Sequence, residues 1–146
     1  MGKETEHKYL VKDNTYRALA SRSHKICQAY LSKEPERTVR IRICDNAAFI
    51  TIKGRGEGDT RPEFEYQIPL GDARELMRLA LPGEIEKTRY IVPFQGYVWE
   101  IDEFHGRHEG LVIAEIELKQ STHDYPLPPF IGREVTGNPA YFNSNM

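Results

Sequence analysis

The sequence predicts a mainly β fold: an eight-stranded antiparallel closed β-barrel with a few outer helices, in one domain over residues 1–146. Three observations lead there. Eight segments alternate side-chain character at period two, the spacing of a strand that shows one kind of residue to each face. In seven of the eight, one of the two faces carries charge. Helical patterning is confined to two stretches and a last turn at the C-terminus.

The first strand is predicted over 4–11, where Glu4, Glu6 and Lys8 take every second position of ETEHK. DNTYRALAS, near 14–21, predicts a short helix. The second strand, 25–31, offers Gln28 and Tyr30, polar but uncharged. SKEP then turns the chain into strand 37–43, with Val39, Ile41 and Ile43 on one face and Arg40 and Arg42 on the other. CDNA turns it again into 48–53, where Ile50 and Ile52 oppose Thr51 and Lys53. The Gly-rich GRGEGDTRP at 54–62 lacks the GK[ST] ending of a phosphate loop and reads as a mobile connector. In 63–68, Phe64, Tyr66 and Ile68 oppose Glu63, Glu65 and Gln67. GDARELMRLALPG predicts a helix with Asp72 as N-cap, Glu75 three residues on, and a Pro82-Gly83 stop. Strand 87–92 gives Lys87 and Arg89 one face, and 97–103 sets Trp99 and Ile101 against Glu100 and Asp102. After the HGRHEG turn, 111–119 sets Ala114, Ile116 and Leu118 against Glu115, Glu117 and Lys119. The tail is turn-rich, and Phe130, Ile131, Val135, Tyr141 and Phe142 predict that it docks on the body.

Bulk properties exclude several function classes. A formal net charge of -2 gives no global pull toward nucleic acid or a membrane surface, so electrostatic function must be local. No apolar run approaches the ~20 residues of a membrane span, and the N-terminus has no signal-peptide core. Cys27 and Cys44 have neither metal-type spacing nor a disulfide framework, which suits a reducing, cytoplasmic setting. His105, His108 and Glu109 in HGRHEG read as a solvated loop rather than a zinc site.

The charged stripes decide the function. On one face lie Glu4, Glu6, Glu63, Glu65, Glu100, Asp102, Glu115 and Glu117, together with Lys8, Arg40, Arg42, Lys53, Lys87, Arg89 and Lys119. An open sheet would leave them in water, and periodicity alone does not distinguish that case. Eight strands, however, are about the number that closes a barrel, and closure removes exposed edges. The bulky apolar stripe has the two helices to cover it from outside, so the charges are assigned to the lumen. Each unpaired buried ion would cost several kcal/mol against a fold stable by only ~5–15, so the lumen must be wet, cross-paired and built to hold charge. Neighbouring carboxylates repel unless a cation sits between them, and hard ions such as Mg²⁺ or Mn²⁺ take such oxygens. Bases on several strands would surround a polyanion, with arginine forks suited to phosphate. Together these are the parts of a metal-assisted phosphoryl-transfer site.

Glu4-x-Glu6-x-Lys8 resembles the EXEXK signature of the triphosphate tunnel metalloenzymes, the CYTH superfamily named after class IV adenylate cyclase and thiamine triphosphatase. The resemblance runs along nearly the whole chain: ICQAYL, VRIR, TIKG, RPEFEY, KTRY, WEIDEF and AEIEL follow in the family's order. The tail GREVTGNPAYFN is similar to that of short bacterial members. Thr5, His7 and Ala29 replace the more typical Ile, Arg and Gly. With a short tail, any helix plugging one end of the barrel is expected to be brief.

The resemblance implies that Glu4, Glu6, Asp102, Glu115 and Glu117 hold one or two divalent metals, Mg²⁺ or Mn²⁺. It implies that Lys8, Arg40, Arg42, Lys53, Lys87 and Arg89 bind the substrate, and that Glu4, Glu6, Lys8, Glu115 and Glu117 form the catalytic group. Water activated at the metal, with help from a nearby carboxylate, would attack the terminal phosphorus in line. Glu63, Glu65, Glu100 and Lys119 are left open between metal binding and ion pairing. The expected partner is a small polyanion, tripolyphosphate or an organic triphosphate, with no nucleic acid and no membrane; a homodimer is left open. Inorganic triphosphate hydrolysis leads because little in the sequence offers a base-recognition pocket. Nucleoside or thiamine triphosphatase, class IV adenylate cyclase and a non-catalytic polyphosphate-binding module are the alternatives.

Overall fold

The computed structural model describes residues 2–146. Its strands are β1 (Lys3–Val11), β2 (Arg22–Glu34), β3 (Arg37–Cys44), β4 (Ala47–Gly54), β5 (Thr60–Ile68), β6 (Ile85–Phe94), β7 (Tyr97–Phe104), β8 (Val112–Leu118) and β9 (Ile131–Glu134). Two helices, α1 (Tyr16–Leu19) and α2 (Leu70–Arg78), lie between β1 and β2 and between β5 and β6. The sheet order is β5-β4-β3-β2-β6-β7-β8-β1, and a further pairing of β5 with β1 closes it into the expected eight-stranded antiparallel barrel. The closing seam is short: Lys3, Glu4 and Thr5 face Pro62, Arg61 and Thr60.

Each predicted strand is present, with ends moved by three residues at most. The β6–β7 hairpin turns on Gln95 and Gly96, both at positive φ (46° and 85°), the conformation that matches the twist of the flanking strands. Three expectations change. Residues 54–62 are not simply a connector: Glu57 and Thr60 close a tight turn, and β5 already begins at Thr60. Pro62 conceals this in the sequence, since proline usually breaks a ladder, yet here it sits at the short seam. The α2 N-cap is Pro69, and Asp72 lies in the first helical turn, where its charge favours the N-terminal dipole. The tail also adds β9, which pairs with β1 around Tyr9 and Val11 beyond the stretch that β5 occupies. IGRE is too short to show a periodicity of its own.

The apolar stripes face outward, as the sequence pattern requires. Tyr9, Val92, Trp99, Ile101, Ala114 and Ile116 form one cluster, covered by Tyr16 of α1 and by Tyr125, Phe130 and Ile131 of the C-terminal segment. The Tyr16 hydroxyl and the Arg17 guanidinium both donate to Glu103, pinning α1 to β7. On the other side, Ala73 with Leu70, Leu76 and Met77 of α2 covers Ile41, Ala48 and Ile50. Ile41 is fully buried there, so Ile41→Val is expected to cost about 1 kcal/mol in a denaturant melt while leaving the lumen chemistry intact.

The lumen is not charged along its whole length. Ile85, Phe104 and Ile113 fall on the same strand faces as Lys87, Asp102 and Glu115, and they pack with Leu111, Tyr141 and Met146. The tail therefore docks on one end of the barrel through an apolar floor, using short 3-10 turns at Pro139–Tyr141 and Asn143–Asn145. No helix of the described residues is long and apolar enough to cross a membrane.

Candidate active site

Strand alternation brings charge from seven strands into one partly open cavity of about 170 Å³. Glu4, Glu6, Lys8, Arg40, Arg42, Lys53, Lys87, Arg89, Glu115 and Glu117 all line it, as the sequence leads one to expect. Glu63, Glu65 and Glu100 line it too, while Lys119 lies past the end of β8 and outside the cavity. A wider chamber of about 340 Å³ adjoins it beside the tail, sharing Glu4, Glu6, Lys8 and Arg61.

Carboxylates gather where β1 meets β8 and the start of β5. The register sets Glu6 opposite Glu117 and Lys8 opposite Glu115. One oxygen each from Glu4, Glu63 and Glu117 lies within 4.8 Å of the others, an oxygen-only set that suits a hard divalent ion. Lys53 Nζ now neutralises part of this group, donating to Glu4 at 2.7 and 3.0 Å and lying 3.5 Å from Glu63. Burial, reinforced by Glu115 and Glu4, pushes the Glu6 carboxyl up to about 8. Burial pushes the other way from its neighbours at Glu115, where Lys8, Arg89 and a hydrogen bond from Glu6 win and bring it down to about 2. The two oppose each other's ionisation, since like charges in one buried site do not both ionise cheaply. Glu63 is raised to about 7, by burial and by Glu4, and Glu117 is raised by the same kinds of cause.

Cations from β3 and β6 line the facing wall. Arg42 is lowered to about 9 by burial and by the guanidiniums of Arg40 and Arg89, with its Nε donating to Gln28 at 3.0 Å. Arg40 donates to Thr51 at 3.0 Å and lies 3.5 Å from Glu65, but its buried Nε has no hydrogen-bond partner among the described residues. Lys87 Nζ donates to Asn143 of the tail at 2.8 Å, and burial lowers it to about 7, with Arg89 and Arg42 adding to the effect against Asp102. Lys8 Nζ donates to the Tyr141 carbonyl at 3.3 Å and sits 5.6 Å from the Phe142 ring centre.

Asp102 stands apart from the clustered carboxylates with which the family resemblance groups it. It is 1 % exposed and does not line the cavity. Arg89 donates to it through Nε and Nη2 at 2.8 and 2.9 Å, and Lys87 Nζ lies 2.8 Å away. Both oxygens are thus occupied by cations, which hold the carboxyl far below its ordinary range although burial acts to raise it. Asp102 is one residue deeper along the lumen face than Glu100, which explains why equal alternation gives the two unequal access.

Several lining residues were given no role by the sequence reading, although Tyr30 and Thr51 were placed on polar strand faces. Tyr30, Thr38 and Thr51 share faces with charged neighbours, and their parity was a usable signal. Arg61 was hidden by the connector reading of its loop. Phe142, Asn143 and Ser144 reach the cavity because the tail folds back; its apolar residues predict docking, but not that it docks at the cavity.

The model of the CYTH domain family matches residues 2–141 of this chain. An inorganic triphosphatase of Acetivibrio thermocellus is 44% identical over 147 aligned residues, covering 100% of this chain and 94% of that protein. The crystal structure of another inorganic triphosphatase is 27% identical and covers 97% of this chain and 95% of its own, with a TM-score of 0.69. A conserved hypothetical protein of Pyrococcus furiosus shares the fold at 22% identity and a TM-score of 0.61, over 82% of this chain and 80% of that one. With its barrel closed around two ExE strands and a wall of basic side chains, and with the family model matching from the first strand into the tail, this chain belongs to the CYTH family.

Proposed function

We propose that the protein hydrolyses inorganic triphosphate to pyrophosphate and phosphate inside the barrel, with a divalent cation, Mg²⁺ or Mn²⁺, held by the carboxylate wall. The observation that carries this reading is a wall of buried cations with unmet demand for negative charge. Arg42 and Lys87 are both depressed by burial and by each other's neighbours, and Arg40 keeps an unpartnered buried N–H. A polyphosphate would relieve all three, and arginine forks match its oxygens. The identity to a protein named inorganic triphosphatase supports the same substrate.

Glu4, Glu6, Glu115 and Glu117 would hold the cation, joined by Glu63 from the geometry; Asp102 instead fixes Arg89 and Lys87. A bound dication would supply charge neutralisation at the transferring phosphoryl group and lower the pKa of a coordinated water. Lys8, Arg40, Arg42, Lys53, Lys87 and Arg89 grip the chain and stabilise charge spreading onto the pyrophosphate as the terminal P–O bond breaks. A nearby lumen carboxylate would accept the proton that the attacking water gives up. Cys27 and Cys44 remain free thiols, which fits a cytoplasmic setting.

The test is phosphate release from tripolyphosphate, ATP, thiamine triphosphate and pyrophosphate, each with Mg²⁺, Mn²⁺ or a chelator. Turnover is expected only with metal, and fastest on tripolyphosphate. Tight binding of tripolyphosphate without turnover under either metal would instead make the barrel a polyphosphate-binding module.

A further inference from the structure

The β1–β5 seam closes the barrel with three residue pairs, against six between β1 and β8. Residues just before it are rich in glycine and exposed. At Gly56 a Cβ would fall 1.8 Å from the Thr60 carbonyl oxygen, so the turn entering the seam tolerates no side chain there. Such a seam needs an anchor to hold its register.

The outer wall provides one. His7, between Glu6 and Lys8 on β1, points away from the lumen and is 1 % exposed. Its Nε2 lies 2.7 Å from Asp59 Oδ2, and its Nδ1 lies 2.7 Å from the Tyr125 hydroxyl, which in turn is 2.7 Å from the Tyr9 hydroxyl. Hydrogens can run one way along this chain, from Tyr9 to Tyr125 to His7 to the Asp59 carboxylate. Ser121 Oγ donates to the same Asp59 oxygen at 2.6 Å, and the Asp59 carbonyl accepts the Glu6 N–H at 3.2 Å. The His7 ring stacks on His123, with centres 4.1 Å apart. Asp59 is thereby fixed from β1 and from the 119–125 segment at once.

Two residues past this anchored aspartate, Arg61 enters the cavity opposite Glu4 in the register. Its Nε is 3.6 Å from Glu4 Oε1, and its guanidinium carbon is 6.0 Å from the Phe142 ring centre. It stands on the boundary between the inner cavity and the outer chamber. A cation bound among Glu4, Glu63 and Glu117 would take over the charge of Glu4 and free the guanidinium.

We propose that Arg61 is a further substrate-binding residue, and that His7 and Asp59 form a positioning latch outside the barrel that sets Arg61 in the mouth of the cavity. The proposal rests on the triphosphatase reading for its substrate, but not for the latch. Tripolyphosphate hydrolysis is to be measured for wild type, Arg61→Ala, Asp59→Asn and the double variant. Each single change is expected to raise KM roughly tenfold with kcat altered less than about threefold, the signature of lost uniform binding. Because Asp59 acts through Arg61, the double variant is expected to match Arg61→Ala alone. His7→Phe, which keeps the stacked ring and removes the donor, is expected to reproduce Asp59→Asn. Hydrogen exchange of the intact Asp59→Asn protein is expected to speed up at residues 57–61 with no matching change at β8. KM increases that multiply in the double variant, an unaltered KM in either single variant, or unaltered exchange would overturn the latch. If the wild type fails to turn over tripolyphosphate, the functional reading falls by itself, and calorimetric Kd values for tripolyphosphate in the same four proteins then decide the latch by the same criteria.

Discussion

Glu6→Gln is expected to lower kcat on tripolyphosphate by on the order of a hundred- to a thousandfold while leaving the metal-free protein at least as stable as the wild type. The two halves of this result have one cause. Glu6 is pushed up to about 8 by burial and by the Glu115 and Glu4 charges, so in the metal-free protein at neutral pH it carries a proton and donates it toward Glu115. Glutamine has the same shape and donates an amide N–H in place of that proton. A carboxyl raised in the folded state stabilises fully below its unfolded value of 4.5 and loses that contribution as pH climbs through about 8. The wild-type metal-free protein should therefore lose stability between those limits, and the variant should lose less. A dication binds the deprotonated form and expels the proton, so Mg²⁺ or Mn²⁺ is expected to raise the wild-type Tm more at about pH 8 than at about pH 6. Calorimetric melts with metal and with chelator check the stability half, and phosphate release checks the other. A variant that retained wild-type turnover would remove Glu6 from the metal site.

Most of this arrangement was legible because both of its elements are local. Alternation at period two, with charge on one face, fixes which side chains share a wall as soon as the strand exists; RTVRIRI and AEIEL required nothing else. Closure followed from strand number and from the removal of exposed sheet edges. What alternation does not encode is depth. Glu100 and Asp102 are equivalent in sequence, yet one lines the cavity and the other is sealed beneath two cations. Ile85, Phe104 and Ile113 continue charged stripes as an apolar floor, and only the returning tail makes them a core. Arg61 was lost because composition alone makes GRGEGDTRP a loop, whereas the seam with β1 is a contact across more than fifty residues of chain. Glu63 was readable as an acid on the lumen face, but its grouping with Glu4 and Glu117 depends on how β5 crosses β1.

Asp102→Ala is expected to destabilise the protein by about 3–5 kcal/mol, whether metal or chelator is present. The reason is the pair it would orphan. Lys87 and Arg89 both point at Asp102, and their side chains are 1 % and 11 % exposed, so neither can turn to bulk water for compensation. Arg42 adds a third positive charge that already lowers Lys87. Because Asp102 is depressed in the folded state, its contribution is present above the unfolded value of 3.8 and is lost as pH falls through the lower folded value. The gap between wild type and variant should accordingly shrink on acidification and stay open at neutral pH. Asp102→Asn, which still accepts a hydrogen bond, is expected to cost less, about 1–3 kcal/mol, and serves if the alanine variant does not accumulate folded. Both should also raise KM for tripolyphosphate, since Arg89 loses the bidentate partner that aims it across the cavity. A metal ligand would behave differently: its removal would weaken metal binding and leave chelated protein little changed or more stable. Denaturant melts of the three proteins in Mg²⁺ and in chelator separate the two roles, and a stability loss confined to the Mg²⁺ samples would return Asp102 to the metal site.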